Sequence, residues 1–178
     1  MKLFDRFIQR PLAPSGTKRV LPELCGVMTA HQAWATAAPI VKAMDRQARL
    51  TFIASGLDLN EKGCSLSWEF IFILPERNVN VVLSLEPDPQ SEDVDGSPCI
   101  LIQRINQAAA IDASRPTLPD GFRDSPDVVA EFIAHGVDFV AGPSDIKLEG
   151  RVLPSGEAVW VTYYWDQEYS TSFLPKCG

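Results

Sequence analysis

The sequence predicts an α+β protein. It reads as two helices, each followed by an antiparallel sheet, in the order αβββ(β) and then αβββ. Three observations carry this reading. Apolar and polar residues alternate with a period of two through residues 48–87, as in strands with one buried face. Two stretches, starting near residues 30 and 125, place apolar residues at helical spacing behind capping residues,. The same helix-then-strands layout recurs in the C-terminal third. The two units are free to share one continuous sheet.

The first helix is expected over residues 30–47. Thr29 and Gln32 have capping-box spacing, and Trp34, Ala37, Ala38, Val41 and Met44 form an apolar stripe,. Pro39 lacks an amide N–H, so a kink or a broken first turn is expected there,. Three strands follow, over 48–54, 65–74 and 79–86. In the second, Leu66, Trp68, Phe70, Phe72 and Leu74 alternate with Ser65, Ser67, Glu69, Ile71 and Ile73. Residues 75–78 (PERN) break the run as turn residues do,. Residues 99–105 read as a fourth strand.

The second helix is expected to open with Ser125 as N-cap and Pro126 in the first helical position. Val128, Val129, Phe132 and Ile133 face inward, and Gly136 follows the last turn,. Strands over 146–152, 158–165 and 169–174 come next, with turns at 154–157 and 166–168. The stretch AVWVTYYW is apolar on both faces, which suggests a central or doubly covered strand,.

The chain divides into an N-terminal arm (1–28), a first repeat (29–105), a connector (106–124) and a second repeat (125–178). The arm is basic, with a short amphipathic helix expected over 1–10. Leu3, Phe4, Phe7 and Ile8 would lie on one face of it,. Residues 87–97 form an acidic loop. Ser91, Asp93, Asp95 and Gly96 echo the start of a calcium loop, but Ile102 stands where a bidentate Glu is needed,. A solvated turn is the expectation.

The net charge of −7 argues against wrapping nucleic acid, whose phosphates need a basic surface,. No apolar run is long enough to span a membrane,. Asp5, Arg6, Gln9 and Arg10 interrupt what would be a secretory signal,. A soluble cytoplasmic protein is expected, unless a leader was removed. The four cysteines, Cys25, Cys64, Cys99 and Cys177, form no C-x-x-C pair. Free thiols fit a reducing compartment, while an even number also permits two disulfides.

Chemistry-bearing residues are few. His31 opens the first helix and His135 ends the second, and neither sits in a nucleophile or zinc motif,. A cation at His135 would complement the helix dipole. Cys64 has no flanking cation that visibly lowers its pKa. No catalytic residue, metal site or cofactor is expected. Trp160, Tyr163, Tyr164, Trp165 and Tyr169 are densely placed, and exposed Trp and Tyr favour interfaces. These five are the candidate surface for an unidentified protein partner.

Two runs carry a family resemblance. Ala48-x-Leu50-x-x-Ile53-x-Ser55 followed by Gly63-x-Ser65-x-x-Trp68-x-Phe70-x-Phe72 resembles the PepSY-like tandem-repeat proteins of bacteria. Val159-Trp160-Val161-Thr162-Tyr163 is similar to their second repeat. The resemblance covers about residues 30–86 and 125–175. It implies a small helix on an antiparallel sheet, twice over, as in cystatin-like and β-lactamase-inhibitor-like folds. It also implies a non-catalytic binding or inhibitory role. The alternatives are a sensor with a small-molecule or peptide pocket between helix and sheet, and a hydrolase using His31 or His135.

Overall fold

The computed structural model describes residues 16–90, 98–106, 116–140 and 146–175. The helix expected over 1–10 and the calcium-loop echo at 91–96 lie outside these residues. Within them the order is β1 (Thr17–Cys25), α1 (Ala30–Met44), β2 (Arg49–Ser55), β3 (Trp68–Leu74), β4 (Val79–Pro87), β5 (Pro98–Asn106), α2 (Ser125–Ala134), β6 (Leu148–Val152), β7 (Ala158–Tyr164) and β8 (Gln167–Ser172). The strands form one eight-stranded sheet in the order β1-β5-β4-β3-β2-β6-β7-β8. Every neighbouring pair is antiparallel. No described helix is long and apolar enough to cross a membrane.

Period-two alternation sorts the sheet into two faces. Ile53, Phe70 and Leu83 share one row, which continues through Gly150 to Trp160. This face meets both helices. Ala33, Ala37 and Val41 of α1, and Val128, Val129 and Phe132 of α2, are buried in the same core as Phe70, Phe72, Leu148 and Trp160. Trp34 is partly buried, and its ring meets Phe70, Phe72 and Phe122 at 5.7–5.8 Å.

Helix α1 is fastened at both ends. The Thr29–Gln32 capping box is present. At the other end Asp45, almost fully buried, accepts the N–H groups of Gln47 (2.7 Å) and Glu76 (2.9 Å). Arg77 Nε donates to the Met44 carbonyl at 2.8 Å, which places a cation at the negative end of the helix dipole. The helix stops at Met44 and not at residue 47, and it runs through Pro39 without a break.

The structure adds to these expectations and corrects others. Residues 17–25, within the N-terminal arm, form an edge strand paired with β5 that local periodicity did not reveal. A proline at position 22 and a register shift between Leu21 and Cys25 hid it, and an edge strand tolerates both. The described part of the connector packs on the core. Leu118 and Phe122 are buried, and the Leu118 N–H bonds the Leu50 carbonyl at 2.7 Å. The cap of α2 is Asp124 rather than Ser125, and Ile133 is 44% exposed instead of facing inward. The last hairpin is tighter than expected, with Tyr164 paired to Gln167.

The seam between the halves is narrow. Only Ile53↔Gly150 and Ala54↔Glu149 pair across β2 and β6. A Cβ at Gly150 would stand 2.4 Å from Ile53 Cγ2 and 2.5 Å from Phe173 Cε2. Glycine therefore lets the Phe173 ring lie over the seam, 5.0 Å from the Trp160 ring.

Trp68 and Trp160 are both almost completely buried but differ in their polar atom. Trp68 Nε1 donates to the Met28 carbonyl at 2.9 Å, whereas Trp160 Nε1 is buried without a partner. Phenylalanine at either position removes similar volume, but only at 68 does it also break a buried hydrogen bond. Trp68→Phe should cost about 1 kcal/mol more than Trp160→Phe. Urea unfolding midpoints of the two variants check this.

Candidate functional site

The first candidate region is where the two helices begin. Asp124 Oδ1 accepts the N–H groups of His31 and Ser125, each at 2.9 Å. Ser125 Oγ accepts the Ala30 N–H at 2.9 Å and donates to the Gly63 carbonyl at 2.6 Å. Ser125 is completely buried. Gly63 has φ +72°, and a Cβ there would stand 2.5 Å from the Pro126 nitrogen. Only glycine allows this approach.

Beside this junction lies an open cavity of about 460 Å³ lined by His31, Phe122, Arg123, Asp124, Asp127, Glu131 and Pro175. Most of its charged groups hold elements together. Arg123 and Glu131 form an ion pair at 2.8 Å. Thr171 Oγ1 donates to Glu131 at 2.8 Å, and Arg123 also donates to Thr171 Oγ1 and the Asp127 carbonyl, both at 3.2 Å. His31 Nε2 lies 2.8 Å from the Phe122 carbonyl and donates to it. Its Nδ1 is 3.8 Å from Asp124 Oδ2, beyond hydrogen-bond reach,.

The Cys64 thiol is held above its ordinary pKa, first by burial and then by the charge of Asp124, with Lys62 opposing. Its Sγ–H points to the Lys62 carbonyl at 3.8 Å. The thiolate, which is the nucleophile, is therefore disfavoured. Cys64 and Cys99 are both free thiols. His135 caps the far end of α2, about 16 Å along the helix axis from Asp124,. His135 is not among the residues that line the cavity beside His31. Among the described residues no group of three His, Cys, Asp or Glu could hold a metal ion.

The second candidate region is the β7–β8 hairpin. Its five sequence-predicted aromatics do not all face outward. Trp160 is fully buried and belongs to the core, because it lies on the row that faces the helices. Tyr164 and Tyr169 pack partly against that core. Tyr163 and Trp165 are exposed, at 39% and 69%. Tyr163 lies on the opposite face in a small polar cluster. Arg151 donates to its hydroxyl at 3.0 Å and to Glu168 at 2.9 Å. The Arg151 hydrogen bond holds the Glu168 carboxyl below its usual pKa. Burial opposes the Arg151 charge, but Glu168 and Tyr163 outweigh it and raise the guanidinium pKa.

Trp165 has φ +53°. A two-residue hairpin loop favours a positive φ, which suits glycine or asparagine. For a bulky side chain this conformation costs about 1–2 kcal/mol. The Trp165 ring makes a T-shaped contact with Tyr164, with centroids 6.1 Å apart and planes at 67°.

Comparison with protein-family models, curated proteins and solved structures finds no match.

Sequence reasoning missed Asp124 and Ser125 as partners of the other helix. It also missed the positive φ of Trp165. A Trp-Asp pair closing a tight turn between alternating strands is the signal that could have located the latter.

Two outcomes are expected. Asp124→Ala removes acceptors from two helix starts and should lower stability by about 2 kcal/mol, while Asp124→Asn, which keeps an oxygen, should lose less; chemical denaturation distinguishes them. At neutral pH, iodoacetamide should alkylate Cys64 in the folded protein more slowly than it alkylates a small free thiol, as mass spectrometry of the modified peptide would show.

Proposed function

We propose that this protein is a non-catalytic binding module, built on two PepSY-like repeats, that engages another protein through the β7–β8 hairpin. The observation that carries the proposal is Trp165: a large aromatic side chain, 69% exposed, at a backbone conformation that disfavours it. Backbone strain that persists at an exposed position points to function. Tyr163 and Tyr164 border it, so the tip offers aromatic area of the kind that dominates binding energy at interfaces.

The repeat reading is supported by the order of elements. The first helix precedes four strands and the second precedes three, the leading strands β2 and β6 pair with each other, and Trp68 and Trp160 occupy the second strand of each set. The non-catalytic reading is supported by the raised Cys64 pKa and the engaged Nε2 of His31. A small-molecule sensor is less favoured, because most charged groups around the 460 Å³ cavity already hold structural partners.

Trp165→Gly separates function from stability. Glycine accepts φ +53° without strain, so the unfolding temperature should hold or rise by about 2–4 °C. Capture of a specific partner from cell extract should be lost. Equal capture by wild type and variant would rule out the hairpin as the binding surface.

A further inference from the structure

The composition of the hairpin tip narrows the kind of partner it fits. Trp165 and Tyr164 meet edge to face, with their planes at 67°. The contact forms a corner, and with 69% of Trp165 exposed the indole stays open to solvent. An aromatic face carries partial negative charge and attracts cations. Next in the chain is Asp166, which is exposed and forms no ion pair among the described residues. The other nearby carboxylate, Glu168, is already neutralised by Arg151 at 2.9 Å.

An apolar partner fits this tip poorly. Asp166, Gln167 and Glu168 follow Trp165 and are all exposed. Covering them with an apolar surface would desolvate an unpaired carboxylate. Trp165 and Asp166 are the two residues of the loop between β7 and β8, so a cationic side chain suits both, the indole through its face and Asp166 through its charge,. The chain's net charge of −7 favours the approach of a basic segment,.

We propose that the β7–β8 tip receives a lysine or arginine side chain of a basic partner segment, held between the Trp165–Tyr164 corner and the Asp166 carboxylate. This rests on the hairpin being the partner-binding surface.

The test follows the Trp165 indole N–H signal by NMR in the full chain. The probes are three peptides in which glycine alternates with arginine, glutamate or leucine. The arginine peptide should shift the signal in a saturable way and lose affinity as salt is raised. The glutamate and leucine peptides should not shift it. Asp166→Asn should weaken arginine-peptide binding about threefold or more while leaving the unfolding temperature unchanged. Equal shifts from the leucine peptide, or an unchanged affinity in Asp166→Asn, would overturn the inference. Partner capture separates the two levels. If Trp165→Gly abolishes capture while Asp166→Asn and high salt leave it intact, the cation inference fails and the binding surface stands. If Trp165→Gly also leaves capture intact, both fail.

Discussion

The start of α1 depends on the start of α2. The first N–H groups of an α-helix have no partner within the helix and must find one elsewhere. In α1 the N–H of Ala30 goes to Ser125 and that of His31 to Asp124, while Thr29 and Gln32 serve each other. Two of these bonds come from residues more than 90 positions away. The same two residues begin α2, and Ser125 also ties down the Gly63 carbonyl. One buried hydroxyl and one carboxylate thus join both helices and the β2–β3 loop.

This explains how so narrow a seam holds the sheet together. Two residue pairs across β2 and β6 are a weak hinge by themselves. The Leu148 N–H adds a bond to Ser55 Oγ at 2.9 Å. Above the sheet a run of rings crosses the seam, from Phe70 and Phe72 through Trp34 and Phe122 to Trp160 and Phe173. Phe122 reaches the middle of that run because the chain enters α2 there, so the helix junction and the aromatic run support each other. With the helix face closed in this way, the last hairpin extends to an exposed tip.

Much of the fold was legible because it rests on local periodicity. The alternation around Trp68, Phe70 and Phe72, the Thr29–Gln32 capping box and the turn at 75–78 are encoded within a few residues. What escaped has non-local causes. Residues 17–25 become a strand only because β5 offers an edge, and Leu118 and Phe122 lie in a stretch without periodicity. Ser125 has the sequence position of a cap, yet its hydroxyl serves α1. The aromatic cluster at 160–169 was visible as composition, but its division into the core residue Trp160 and the exposed Trp165 depends on strand register and on a single positive φ.

The shared helix junction is tested most directly by native-state hydrogen exchange, residue by residue, at increasing urea. First-turn amides of a helix ordinarily exchange fast because they lack partners. Here the Ala30 and His31 amides should open only with global unfolding, at the same free energy as core amides of β3 and β7. Fast exchange of Ala30 and His31, with β6–β8 opening at a lower free energy than β2–β4, would contradict the account. The two halves would then be separate units held together by the seam alone.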